Sequence, residues 1–292
     1  MKKQNIAPQI LCRSRQGFSF MIGIRPAALA FDAVAPVFDA RFGEWRSVTA
    51  QRDSVRHALL DVFPRGGRIL DIGGGTGEDA AWLVGQGFKL LLTDASPAMV
   101  ELAAAKLTPL GAGAKIVAAE DLEQFAECHV AAGGPVFDGA YSNFAPLNCV
   151  DDLRPVAKGL ARLVKPGGAA MLVLFGTSAP GEIVIECLQG RMQQAFRRFR
   201  RKPVPAQIGG RQFTVRYHRA GAIRSAMQPW FKPVRRLGIG IFVPPSAAEP
   251  WISRHPAFLG FLETLDRMAS RPFAMLGDHI LYHFKRTRVK AP

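Results

Sequence analysis

Three carboxylates stand at points where an apolar run of chain gives way to a turn: Asp71, Asp94 and Asp121. Asp71 opens the run DIGGGTG at residues 71–77. Its glycines let the chain turn sharply and let a ligand approach the backbone. Asp94 follows 23 residues later, at the end of the next apolar run. That spacing sets a carboxylate beside the glycine turn, where it can accept both hydroxyls of a ribose. Asp121 ends a third such run, where a carboxylate can meet an adenine amino group. A glycine-rich turn alone is a weak signal, and the acids after it give it weight. The loop lacks the G-x-G-x-x-G spacing that suits a dinucleotide pyrophosphate. Glu78 and Asp79 open the following helix, so two negative charges fall where a pyrophosphate would lie. They suit a ligand with a cationic amino or sulfonium group.

The remaining chemistry-bearing residues are scattered. The histidines are His57, His129, His218, His255, His279 and His283. His279 and His283 have the spacing of a helical metal pair, but they fall on a strand-like run, where four residues span about 13 Å. No metal site is expected. His218 and His255 are weak candidates for a catalytic base. Cys12, Cys128, Cys149 and Cys187 show no C-x-x-C pairing, which argues for reduced thiols rather than a disulfide framework or a zinc ribbon.

These residues need elements to hold them. Residues 27–39 and 53–63 repeat apolar positions at helical spacing. Short apolar strands are predicted at 68–72, 88–93, 115–119, 137–142 and 169–175. Helices are predicted from 78 to 83, from 96 to about 107, with Pro97 at the first position, and from 151 to 164. Strands alternating with helices imply an α/β fold: a doubly wound, Rossmann-like, seven-stranded sheet, mostly parallel. After Phe175 the rhythm breaks. Residues 182–199 read as one extra helix, 212–217 as a strand, 220–230 as a helix, 235–243 as a strand, and 279–285 as a final strand. The expected organisation is a disordered leader at 1–26, a ligand-binding half at 27–175, an inserted lid at 176–218, and the rest of the sheet at 219–292. A second insertion is expected at 244–277.

The chain has 292 residues and a net charge of +15, with 48% apolar residues, enough for a sizeable core. The charge is lopsided. Residues 1–150 carry a net −1 and residues 151–292 a net +16. Between Glu186 and Glu249 there is no acid, and 13 Lys and Arg include the run Arg197, Arg198, Arg200, Arg201 and Lys202. This cluster suggests an anionic partner; a solvated face in an arginine-rich chain explains it equally well. No apolar run approaches the roughly 20 residues of a membrane span, and no signal peptide is legible, so a cytoplasmic protein is expected.

Residues 69–77, Thr93-Asp94, Glu120-Asp121, Phe137-Asp138 and residues 163–168 (LVKPGG) together resemble the ordered motifs of class I S-adenosylmethionine-dependent methyltransferases, of the small-molecule, type 11/12-like kind. The resemblance is strong over 27–175 and weak over the last strands. It implies S-adenosylmethionine as cofactor. Asp71 with the Gly73, Gly74 and Gly75 backbone would hold its methionine end, and Asp94 its ribose. Ala95 and Met99 would flank the adenine, with an ordinary core role for Met99 equally weighted. Asp121 and Leu122 would read the adenine's amino edge, and the Ser142 backbone would accept from the cofactor's amino group. Many members carry Cys or Ser in the middle of the glycine loop. Gly74 there is expected to be of little consequence.

Methyl transfer from a sulfonium needs alignment and exclusion of water more than acid–base help. The stretch YSNFAPLN at 141–148 lacks the Asn/Asp-Pro-Pro-Tyr type of motif and resembles small-molecule enzymes. Phe144 and Leu147 would wall the acceptor site, and Asn148 would orient a polar group or cap the next turn. The expected activity is O-methylation of a secondary or lipid-related metabolite, with an anionic or lipid-like acceptor. The alternatives are RNA methylation by the basic half and a non-catalytic binding module. Ile183, Ile185, Leu188, Met192 and Phe196 suggest an amphipathic helix, either closing over an apolar substrate or packed on the sheet edge.

Overall fold

The computed structural model describes residues 25–43 and 45–292. The leader expected at 1–26 lies almost wholly outside the described residues, as does Cys12. Two helices come first, α1 (Pro26–Gly43) and α2 (Arg46–Leu60). A repeating pattern follows: β1 (Arg68–Ile72), α3 (Glu78–Gly85), β2 (Lys89–Asp94), α4 (Pro97–Leu107), β3 (Gly113–Ile116), α5 (Leu122–Ala131), β4 (Phe137–Ser142), α6 (Arg154–Leu163) and β5 (Val164–Phe175). Then come α7 (Pro180–Leu188), α8 (Met192–Ala195), a hairpin of β6 (Val204–Ile208) and β7 (Arg211–Val215), α9 (Ala220–Met227), β8 (Phe231–Ile239), α10 (Pro256–Ala269) and β9 (His279–Arg286).

Seven strands form one sheet in the order β3-β2-β1-β4-β5-β9-β8. The first five are parallel, and β9 runs antiparallel between β5 and β8. Side chains alternate across a strand, so each β1 residue chooses a face. Leu70 and Ile72 pack with α5, α6 and α9, while Ile69 packs with α2, α3 and α4. Both faces are covered at the centre of the sheet, which is why β1 and the core of β5 read as apolar runs rather than alternating ones. The α4 start follows from its sequence: Ser96 caps it by accepting the Met99 N–H at 3.1 Å, with Pro97 at the first turn.

Several boundaries differ from expectation. The predicted helix at 182–199 is broken, because Gly190 turns into the left-handed region (φ +72°) between α7 and α8. The helix α5 was not anticipated. Strand β8 starts four residues earlier than expected, at Phe231, and continues through Pro233 beside a register shift.

The segment after β5 crosses the sheet's carboxyl end. Its hairpin packs on α1, with Phe31 and Phe213 ring centroids 5.9 Å apart. Helix α1 in turn packs on α4, so one roof reaches from the β5 side to the β2 side. Among the described residues no helix is long and apolar enough to cross a membrane.

Candidate active site

The glycine loop leaves β1 and folds back on β2. The Gly73 and Gly74 N–H groups both donate to the Thr93 carbonyl (2.7 and 3.1 Å), and the Thr93 hydroxyl donates to the Asp71 carbonyl. A Cβ at Gly74 would sit 2.5 Å from Asp71 Oδ2 and 2.5 Å from Leu92 Cδ1. Both are held, Asp71 by Tyr141 and Leu92 by the core. A side chain at the middle glycine would therefore have to displace one of them. The loop has closed into the volume a side chain would take.

Asp71 is buried, with the Tyr141 hydroxyl donating to Oδ2 at 2.6 Å. Its other oxygen has no hydrogen-bond partner among the described residues. Burial pushes its carboxyl well above the usual range; the Tyr141 bond opposes this, and the charges of Asp79 and Asp94 add to it. Asp94 accepts the Gly75 and Ser96 N–H groups, each at 2.9 Å, one on each oxygen. Burial raises its pKa too, against the pull of those bonds. The two acids thus face the same loop from adjacent strand ends.

The other expected cofactor residues divide. Ala95 is half-buried beside Asp94, and Ser142 is buried at the end of β4. Asp121 is paired with Arg25 at 2.6 Å, and Arg25 also meets Glu120. Leu122 lies in the main core, and Met99 is buried among Val34, Ala35 and Ile208 under α1. These two apolar side chains therefore pack within the protein. Glu78 and Asp79 do not leave a free negative pole. Lys106 takes Glu78, while Arg56 (2.8 Å) and Arg52 (3.5 Å) take Asp79. The charge argument for a cationic ligand passes from them to Asp71.

Beyond the loop, Phe144 and Ala145 adopt left-handed backbone (φ +54° and +62°), a strain of about 1–3 kcal/mol each. The Phe144 ring lies under the Arg52 guanidinium (5.2 Å) and edge-on to His279 (5.9 Å). The His279 ring also rests against Phe175, 4.9 Å away. Its Nδ1 is 3.2 Å from Asp278 Oδ2. Burial alone would raise the Asp278 carboxyl, yet His279 and Arg198 hold it well below the ordinary carboxylate range.

Of the remaining sequence candidates, only Asn148 touches a residue of this wall. Leu147 is wholly buried in the core. The Asn148 amide donates to the Arg216 carbonyl (2.6 Å), and its oxygen accepts the Phe175 N–H (3.0 Å). It ties the β4 loop to β5 and to the exit of the hairpin. His218 is buried, its Nε2 2.9 Å from the Val150 carbonyl; burial lowers its pKa. His255 is exposed and packs on Trp251. Among the described residues no cluster of three or more His, Cys, Asp or Glu could hold a metal ion.

Sequence reasoning missed the residues that brace the site from outside the motifs. Asp32 accepts the Ser96 hydroxyl (2.5 Å) and the Ala98 N–H (3.0 Å). Asp39 accepts the Thr76 hydroxyl (2.5 Å) and pairs with Lys106 (2.6 Å). The seven-residue spacing puts both acids on one face of α1, the signal that was there to find. Arg52 and Arg56 share a face of α2 in the same way. His279 and Asp278 gave no local signal, because only the antiparallel pairing of β9 brings them to the carboxyl end of β5.

A methyltransferase domain model matches residues 42–228. The ubiquinone/menaquinone biosynthesis C-methyltransferase UbiE of Francisella tularensis subsp. tularensis is 31% identical over 134 residues, 45% of this chain and 48% of that protein. The chain thus spans about half the length of the curated relatives it matches. Among solved structures, the [4+2]-cyclase SpnF is similar with TM-score 0.57 at 14% identity, covering 89% of this chain and 95% of that one. A proposed S-adenosylmethionine-dependent methyltransferase from Listeria monocytogenes is similar with TM-score 0.52 at 14% identity, covering 80% and 96%. The structural likeness bears on the fold, which SpnF shows can host other chemistry. The family match spans most of the glycine loop's surroundings and well over half of the chain, and the chain therefore belongs to the methyltransferase domain family, as a class I S-adenosylmethionine-dependent methyltransferase.

Proposed function

We propose that this enzyme methylates a small, electron-rich hydroxylated acceptor, at oxygen or at the ring carbon that the hydroxyl activates. The observation that carries the reading is the aromatic cluster of Phe144, Phe175 and His279 at the carboxyl ends of β4 and β5. Such a cluster suits a flat, partly apolar acceptor. The similarity to C-methyltransferases of ubiquinone and menaquinone biosynthesis supports a ring acceptor. O-methylation is the expectation from the sequence, and one phenolate offers both nucleophiles.

The residues present fit the cofactor. Asp71 brings a buried, half-unpartnered carboxylate to a loop with open space at Gly75, as a cationic methionine end requires. In this reading Asp71 and the backbone of Gly73, Gly74 and Gly75 hold the methionine end. Asp94 takes the ribose, Ala95 and Asp121 lie toward the adenine, and the Ser142 backbone receives the amino group. When bound, the cofactor supplies an activated methyl group on a sulfonium. The protein aligns the acceptor and keeps water out, with α1 and the 176–218 segment acting as the lid. In this reading His279, whose Nδ1 lies 3.2 Å from Asp278, is the imidazole that accepts a hydroxyl proton from the acceptor.

The basic run gives RNA little support. Two of its five cations turn inward, Arg197 onto Glu182 and Arg198 onto Glu182 and Asp278. Calorimetry with S-adenosylmethionine on the wild type and on Asp94→Ala tests the cofactor half. A loss of at least tenfold in affinity is expected in a variant that still unfolds cooperatively, and unchanged affinity refutes the ribose assignment. Product analysis with a panel of hydroxylated aromatic acceptors tests the acceptor half. Methylation of RNA and of no panel member would overturn it.

A further inference from the structure

Helix α7 is packed with its polarity inverted. Its acids, Glu182 and Glu186, are buried at 5% and 6% exposure, while Val184 and Leu188 face solvent, Leu188 at 83%. Further apolar side chains are exposed past the Gly190 break. Met192, Phe196 and Phe199 follow at intervals of four, four and three, all about half exposed. The buried acids are neutralised from the same segment, Glu182 by Arg197 and Arg198 and Glu186 by Arg191. What remains outward is apolar, neutral amide (Gln189, Gln193, Gln194) and cationic, with Arg200, Arg201 and Lys202 exposed immediately after it. A face meant only for water would carry the acids outward and the aliphatic groups inward.

We propose that this face, residues 184–202, docks on an anionic lipid surface. Charge complementarity selects that occupant: five apolar side chains insert at the headgroup boundary, and the three cations meet anionic headgroups. A second copy of the chain fits poorly, because a two-fold interface would set Arg200, Arg201 and Lys202 against their own images. The face is rigidly tied to the catalytic end. Buried Arg198 donates to the carbonyls of Gly176 (3.1 Å) and Asp278 (2.8 Å), at the end of β5 and the start of β9. Docking would therefore hold the carboxyl end of the sheet at a fixed attitude to the lipid. The surface argument does not depend on the acceptor proposed above.

Co-sedimentation of the full chain with phosphatidylcholine vesicles, with and without phosphatidylglycerol, tests the proposal. Binding is expected only with the anionic lipid and should weaken as salt shortens the screening length. Leu188→Ser with Phe196→Ser should lower binding about tenfold or more, with the melting temperature and cofactor affinity unchanged. The triple variant Arg200→Gln, Arg201→Gln, Lys202→Gln should do the same by a separate route. The proposal fails if the wild type ignores anionic vesicles, if it binds neutral vesicles equally, or if either variant binds like the wild type. It also fails if the wild type sediments as a dimer that the Leu188→Ser, Phe196→Ser variant dissociates.

Discussion

Asp71 carries a conflict between stability and function. Its carboxyl is buried without a cation, and its pKa is raised mainly by that burial. A raised folded pKa means stability that is fully present below the ordinary carboxylate value, roughly 4, and lost as pH rises toward the folded value. Asn at this position still accepts the Tyr141 hydroxyl but never ionises. Asp71→Asn should therefore melt at the wild-type temperature near pH 4 and several degrees higher at pH 7, while binding S-adenosylmethionine far more weakly. A melting series from pH 4 to pH 8 with calorimetry at pH 7 checks both arms; equal melting at every pH would refute the buried ionised carboxylate. Gly74 makes the complementary case. Gly74→Ala adds one methyl against Asp71 and Leu92, an overpacking cost of about 1–3 kcal/mol. Denaturant unfolding should show that loss, and a neutral result would mean the loop can yield.

The elements that brace the site differ in how they hold on. Helix α1 uses two aspartates, and Asp39→Ala should remove the bonds to Thr76 and Lys106. At about 0.5–1.5 kcal/mol per bond the fold should lose stability, and cofactor affinity measured by calorimetry should fall because Thr76 in the glycine loop is released. A fall in melting temperature with affinity unchanged would make the clasp purely structural. Segment 180–199 instead relies on one buried arginine. Arg198→Met leaves Glu182 and Asp278 without their shared cation, a loss of about 3–5 kcal/mol in denaturant unfolding. Lys should not rescue it, since the guanidinium reaches two carboxylates and two carbonyls at once. The central strands were legible because burial on both faces writes them as apolar runs. The Ser96 cap was legible because capping is local. The 180–199 segment was misread for the opposite reason: its apolar period is real, but ion pairs within the segment and from Arg198 to Asp278 hold Glu182 and Glu186 inward. The 204–208 strand and α5 lacked a period strong enough to announce them.

At the scale of the molecule, the +15 net charge resolves into an electrically balanced sheet half and a cationic outer segment. The roof made by α1 and the β6–β7 hairpin joins the two. Its seam is a modest set of contacts: Phe31 on Phe213, Ile208 in the α1 cluster, and Gly209 against Val34. A ligand entering between the roof and the strand ends must part that seam, and binding then closes it. Cofactor at about 100 times its Kd stabilises the whole fold by about 2.7 kcal/mol through mass action. Amide exchange that proceeds through global unfolding slows everywhere by that same factor. Amides of residues 73–77, α1 and the hairpin, which exchange by local opening, should slow by more, whereas β8 and β9 should follow the global factor. Exchange measured with and without S-adenosylmethionine checks this. Uniform slowing would mean that the roof does not move when the cofactor enters, and that access comes from elsewhere along the carboxyl end of the sheet.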